Sequence, residues 1–262
     1  MLNLKSILIS AFIFILTANL FAGSIIKIKS VQTMYNDTTT TMDVIYIQDG
    51  KIRSETIEDG SKSVTIIDPI KEIMINIEPS ENSYTIITEE DFSKFIQQIK
   101  MQKEKMFAQL PEEQREMMSK MFDQQMAEMK NQPKTEYKKV GNESFNNYNC
   151  EVYHGFIQEE KTEEMWIAPW KNMKLKDEYV GVFKSMEKFF VKMAENMGEY
   201  GNMIEDEFDS EMFDKGFPVK TIEYEDGVPI IVETLEEVTE ADLSPSLFEV
   251  PNGMVKKDFF EK

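Results

Sequence analysis

The chain has 262 residues, with 48 acidic against 29 basic side chains and a formal charge of −19 at neutral pH. That balance disfavours nucleic acid and anionic lipid headgroups as partners, since both call for basic surface, and an acid excess of this kind serves solubility. Cys150 is the single cysteine, which excludes an internal disulfide and leaves stability to one sizeable core.

At the N-terminus, Lys5 precedes an apolar run, Ile7 to Leu16, and the small residues Ala18, Ala22, Gly23 and Ser24 follow. This is the pattern of a secretory signal peptide over residues 1–22, with cleavage after Ala22 and an exported mature chain. The run is short for a membrane span, which needs about 20 apolar residues, and no other segment is apolar enough, so no integral span is expected.

Ile25 to Tyr35 reads as a first strand and Asn36 to Thr41 as a polar turn. From Met42 to Thr88, β-branched and aromatic runs are separated by Asp49-Gly50, Asp59-Gly60 and Pro79-Ser80-Glu81-Asn82. Asp-Gly pairs supply the positive φ that tight hairpin turns require, so an antiparallel meander of about four strands is expected. In Glu89–Leu110 the residues Phe92, Phe95, Ile96, Ile99, Met106, Phe107 and Leu110 recur at helical spacing and share one face. Pro111 breaks this pattern and opens a second helix, with Glu112 and Glu113 at its favourable end. On it Met118, Met121, Phe122, Met126 and Met129 cluster on one face, and Asn131-Gln132-Pro133 ends it.

Strands resume at Lys134–Val140, Tyr148–Gln158 and Glu163–Ala168, with Gly141-Asn142 and Glu159-Glu160 as turn candidates. A third helix is expected from Tyr179 to about Met197, facing inward with Phe183, Met186, Phe190, Met193 and Met197, and the acidic run Glu205–Glu211 as a solvated loop or a frayed turn. Gly216–Tyr224 and Val228–Val238 form a hairpin around Asp226-Gly227, and Leu247–Val250 with Met254–Lys257 supplies a last edge strand. Because nothing alternates as strand–helix–strand, the sheet is antiparallel and the class is mainly β of the α+β type.

No nucleophile motif, phosphate loop or zinc-binding helix is present. Cys150 and the lone histidine, His154, lie four apart on one strand, a spacing that gives no direct nucleophile–base contact. Cys150 therefore reads as a buried small hydrophobe, and an enzyme is not expected. Nineteen methionines are the compositional outlier. They admit three readings: ordinary helix packing, since Met fills irregular gaps; an adaptable surface for acyl chains or apolar peptide; or a copper(I) site of thioethers around Met117, Met118 and Met121. No His or Cys among those helices completes the copper site. Trp166 and Trp170 read as core aromatics or as a cavity rim.

Six local patterns occur in a shared order: GKIRSE, IIDPIKEIMINIEPSENSYTII, FNNYNCEVYHG, EEMWIAPW, GFPVKTIE and SPSLFEVPNG. Together they resemble the bacterial domain of unknown function 4412 family, itself similar to the outer-membrane lipoprotein carrier (LolA-like) superfamily. The resemblance spans Ile25 to Lys257 and implies an antiparallel half-barrel with helices in its mouth, in a Gram-negative periplasm. It implies no catalytic residues.

The expectation is thus one domain over residues 23–262, an antiparallel half-barrel sheet covered by about three amphipathic helices, with helical insertions at about 89–131 and 179–213. Its function is non-catalytic binding of a hydrophobic ligand, a lipid or lipoprotein acyl chain, by a monomer without cofactor or metal. The lining or covering residues are Met118, Met121, Phe122, Met126, Met129, Met186, Phe190, Met193 and Trp166. The alternatives are an envelope scaffold or stress protein binding a protein partner, and a Met-based copper(I)-handling protein.

Overall fold

The computed structural model describes residues 22–34, 37–130, 133–173, 175–197 and 210–259. The expected signal peptide up to residue 21, residues 198–209 of the expected helical insertion and most of the acidic run lie outside them.

The chain first forms β1 (Ala22–Met34), β2 (Asp37–Gln48), β3 (Lys51–Glu58), β4 (Ser61–Asp68), β5 (Ile73–Glu78) and β6 (Ser83–Thr88). Helices α1 (Glu89–Ala108) and α2 (Glu112–Lys130) follow, then β7 (Glu136–Phe145), β8 (Tyr148–Ile157) and β9 (Glu160–Ala168). Next come α3 (Asp177–Met197), a short α4 (Ser210–Lys215), β10 (Phe217–Glu225), β11 (Val228–Asp242) and the two-residue β12 (Val255–Lys256).

All the described strands belong to one open sheet in the order β12-β6-β5-β4-β3-β2-β1-β11-β10-β9-β8-β7. Every pairing is antiparallel except β12 with β6. The Asp-Gly turns are where the composition puts them: Asp49 and Gly50, Asp59 and Gly60, and Asp226 and Gly227 all have positive φ. Gly216 answers a different constraint, close approach, since a Cβ there would lie 2.1 Å from the Ala168 carbonyl oxygen.

Four expectations need correction. Asp37–Thr41 is strand, not turn: its β-branched threonines pair residue by residue with β1. The meander from Val44 to Thr88 has five strands, because Pro69–Glu72 turns the chain between β4 and β5, with Glu72 at positive φ. Gly141 marks a bulge within β7 rather than a turn, and the reversal lies at Asn146-Asn147. In the C-terminal segment, Pro245–Phe248 is a single 3₁₀ turn, so only Val255–Lys256 joins the sheet edge.

α1 is capped as its sequence dictates: Thr88 Oγ1 accepts from the Asp91 amide, and Asp91 Oδ2 accepts from the Thr88 amide. The main core lies between the sheet and α3. Ile26, Ile47, Ile52, Ile67, Cys150, Ala168, Val219 and Leu235 rise from strands on both sides of the β1–β11 junction to meet Tyr179, Val182, Phe183, Phe189 and Met193. Each fully buried Ile, Val, Leu, Phe or Met among them contributes about 1.5–3 kcal/mol, so α3 is fixed by apolar burial rather than by its own propensity.

Candidate functional site

The sheet face beneath α3 is the candidate site, and α3 itself fills it. Met193 is 2% exposed, and Met186 and Phe190 are half-buried against the same core. At the first half of α3, Phe183 joins Trp170, Phe213 and Phe217 in an aromatic cluster with ring centroids 5.0 to 6.2 Å apart. Trp170 Nε1 donates to the Phe213 carbonyl at 2.9 Å, which satisfies its polar handle. The polar ties that hold α3 lie on the surface. Lys192 pairs with Glu72 and Glu89, Asn196 donates to Glu89, and Lys184 pairs with Asp214.

Trp166 borders this core, with its Nε1 donating to Glu143 at 2.9 Å and the Lys220 ammonium 4.3 Å over its ring. The α2 residues belong elsewhere. Phe122 packs with Ile96, Phe92 and Ile99 in a satellite cluster between α1 and α2, and the Lys103 ammonium sits 3.5 Å from its ring centroid. Met118 is half-buried and Met121 is 56% exposed. Met126 and Met129 lie on α2, but their side chains are outside the described residues. Of the seven sequence-predicted residues whose side chains are described, Met186, Phe190, Met193 and Trp166 border the core between the sheet and α3, and Met118, Met121 and Phe122 lie on α2.

Sequence reasoning missed three kinds of feature. Tyr179, Val182 and Phe189 of α3 are buried in the same core, and their helical spacing with Phe183 and Met186 was the available signal. The second is an open groove of about 730 Å³ over β5 and β6, lined by Asn76, Glu78, Thr85, Ile87, Lys257 and Phe259.

The third is a group of carboxylates from distant strands. Ser30 of β1 lies opposite Glu233 on β11 and Thr41 on β2, which sets Glu233 near Asp43. Burial pushes Glu233 above the usual carboxylate range, aided by the charges of Glu223 and Asp43, and burial alone raises Glu223.

The potential nucleophile and base are each engaged separately. Cys150 is buried and free, its Sγ 3.6 Å from the Tyr148 carbonyl, and burial raises its thiol. His154 Nε2 lies 3.3 Å from Glu164. No group of three or more His, Cys, Asp or Glu side chains among the described residues is arranged to hold a metal ion. No described helix is long and apolar enough to cross a membrane.

The family model described as a domain of unknown function (DUF4412) matches residues 71–254. No curated protein matches the chain in sequence. Among solved structures, an uncharacterised conserved protein from Thermus thermophilus is similar at TM-score 0.45 and 10% identity, over 95% of this chain and 98% of that one. The Pseudomonas aeruginosa MucA/MucB complex is similar at TM-score 0.38 and 10% identity, over 89% of this chain and 57% of that one. A domain from Vibrio parahaemolyticus described as an outer membrane lipoprotein-sorting protein is similar at TM-score 0.29 and 10% identity, over 86% and 88% of the two chains.

Proposed function

The chain belongs to the domain of unknown function 4412 family, and from the way α3 is held we propose that it is a non-catalytic, monomeric periplasmic protein. In this reading it binds an acyl chain or similar extended hydrophobic ligand on its half-barrel sheet. The observation that carries the proposal is the division of labour on α3. Its buried contacts are apolar and include the adaptable Met186 and Met193, while its polar ties are surface ion pairs. Non-directional apolar contact is the kind that a ligand of the same character replaces without leaving buried polar groups unpaired. A chain of about 14 carbons offers roughly 10 kcal/mol at ~0.8 kcal/mol per methylene, against which the displaced helix contacts and the ordering of the ligand must be set. The expected cycle is that α3 swings from the sheet, the ligand takes its place, and the helix re-docks on release.

The test is mass spectrometry of an organic extract of the natively purified protein, paired with titration of a fluorescent fatty-acid probe. A co-purifying lipid or saturable probe binding is expected. A lipid-free extract together with no probe binding overturns the proposal.

A second reading, a surface for a protein partner, is favoured by one observation. Met101, Met106, Met117 and Met121 on α1 and α2 are each about half exposed, at 50, 48, 57 and 56%, and Met-rich surface accommodates varied apolar partners. Copper(I) binding stands third, since the thioethers of Met117 and Met121 are exposed on the same helix.

A further inference from the structure

The two edges of the sheet are protected in different ways. β7 is guarded by its own sequence: Lys138 and Lys139 stand on it, and a bulge follows between Lys139 and Gly141. Charge and irregularity of this kind discourage strand addition. β6 has neither device. Ser83-Tyr84-Thr85-Ile86-Ile87-Thr88 is uncharged and rich in β-branched residues, the composition that most readily accepts another strand.

What lies on the β6 edge is the C-terminal segment, beyond the residues that the family model matches. The Val255 amide donates to Asn82 O at 3.0 Å and the Lys257 amide to Tyr84 O at 2.8 Å. Val255 pairs with Ser83 and Lys256 with Tyr84, and the pairing extends no further along β6. Past this short ladder, the Lys257 ammonium pairs with Glu81. Phe259 then reaches α1, its ring centroid 5.9 Å from those of both Phe92 and Phe95. Lys257, Asp258 and Phe259 are also part of the lining of the 730 Å³ groove beside Glu78, Thr85 and Ile87. The ladder itself is two residues long and lightly covered, since Val255 is 61% exposed and Lys257 pairs with Glu81 at the surface.

We propose that the β6 edge and its adjoining groove form an exchangeable site for an extended peptide, and that residues 255–259 are its resident occupant. The resident defines the chemistry of the partner: a segment that adds in parallel to β6 and carries an apolar, a basic and an aromatic residue at alternate positions, as Val255, Lys257 and Phe259 do. Main-chain bonds to Asn82 and Tyr84 supply affinity. Glu81 selects the basic residue, and the pair Phe92 and Phe95 selects the aromatic one. The acidic groove, with Glu78 beside Glu81, disfavours an acidic segment. The site meets the core under α3 through Phe92, but its test reads peptide binding and not lipid binding, so its failure and that of the lipid-binding reading are distinguishable.

The test uses the full chain and a fluorescein-labelled peptide copying residues 253–259. A resident occupant reduces apparent affinity by the fraction of molecules in which the site is open. Lys257→Pro removes one of the two main-chain donors and the ion pair, and Phe259→Ala removes the aromatic anchor while sparing the ladder. By fluorescence anisotropy each variant is expected to bind the peptide about tenfold more tightly than wild type. A peptide with Glu at the position equivalent to Lys257 is expected to bind about tenfold more weakly. Circular dichroism confirms an intact sheet, and Phe259→Ala carries the test should Lys257→Pro not fold. The proposal is overturned by absent binding, by equal affinity for wild type and variants, or by indifference to the peptide's charge reversal. Dimers of Lys257→Pro that added peptide does not dissociate would overturn it too, by making a second copy the occupant.

Discussion

Lys192, near the end of α3, is tied to Glu72, in the turn between β4 and β5: its ammonium lies 2.8 and 2.7 Å from the two Glu72 carboxylate oxygens. The same ammonium is 3.0 Å from Glu89 at the start of α1. One exposed cation therefore joins the covering helix to the sheet and to its neighbouring helix, at the edge of a contact that is otherwise apolar.

Exposed pairs of this kind are screened by salt, whereas apolar burial is not. Raising the salt from about 0.05 to 1 M should therefore speed hydrogen exchange of the α3 amides around Lys192 while leaving β1 and β11 unchanged. Lys192→Gln should reproduce that acceleration at low salt and abolish its salt dependence. Exchange that is salt-independent in the wild type would show that the ion pairs do not hold α3.

The half-buried carboxylates of β10 and β11 make an opposite prediction for acid. Burial first, then the charges of Glu223 and Asp43, hold Glu233 above the usual carboxylate range, and burial does the same for Glu223. Between the ordinary value and the raised one, the folded chain keeps a proton that the unfolded chain has lost. These two groups therefore make stability fall as pH rises through that window, and their charged forms cost stability at neutral pH. Burial also pushes Glu55 up, but hydrogen bonds from Lys62 and Arg53 outweigh it and hold Glu55 low, so its contribution is lost only further into acid. Glu223→Gln/Glu233→Gln should raise the urea midpoint at about pH 7 and remove the gain that the wild type shows on acidification toward the ordinary carboxylate range. A double variant less stable than wild type at neutral pH would refute the sign.

How much of this was legible follows from what a sequence encodes locally. Asp49-Gly50, Asp59-Gly60 and Asp226-Gly227 announce themselves because their residue types tolerate positive φ. Pro69 was read through, since Ile66-Ile67 before it and Ile73-Met74-Ile75 after it look like one apolar run. The spacing of Phe183, Met186, Phe190 and Met193 put them on one side of α3, and all four lie in or against the main core. The same reasoning put Met118, Met121 and Phe122 on one side of α2, yet Met121 is mostly exposed. Periodicity says which residues share a face, not whether another element comes to meet it. Asp43 and Glu233 had no local signal at all, because they approach only where β2 and β11 flank β1. The solitude of Cys150 did indicate its fate: it is 2% exposed and unpaired.

On β3, Arg53 makes a buried pair with Glu55, its Nε and Nη2 donating at 2.8 and 2.6 Å, while Nη1 donates to the Leu247 carbonyl at 2.8 Å. The guanidinium thereby also clamps the Pro245–Phe248 turn to the sheet. Arg53→Leu leaves Glu55 with Lys62 and, at 3.5 Å, the Tyr46 hydroxyl, orphans the Leu247 carbonyl, and should cost about 3 kcal/mol in urea unfolding. Arg53→Leu/Glu55→Leu removes both charges and should recover most of the loss. A double variant no more stable than the single one would mean that Arg53 acts through Leu247 alone.

The ligand-binding proposal makes its sharpest demand on Met193, which is buried at the centre of the contact between α3 and the sheet. Met193→Leu conserves volume and apolar character, so stability should change by less than about 1.5 kcal/mol, and binding of a fluorescent fatty-acid probe should persist. Met193→Gln puts an amide where no partner awaits it. In the closed form that costs about 1–3 kcal/mol and favours the open helix. In the liganded form the same amide would face either the acyl chain or water. If α3 moves out with its inner face exposed to solvent, Gln is relieved of its cost on binding, and probe affinity should rise. If the probe instead slips between a docked α3 and the sheet, the amide stays buried beside it and affinity should fall. Probe titration of the two variants beside wild type thus separates displacement from intercalation. Binding unchanged in Met193→Gln would place the ligand away from α3 altogether.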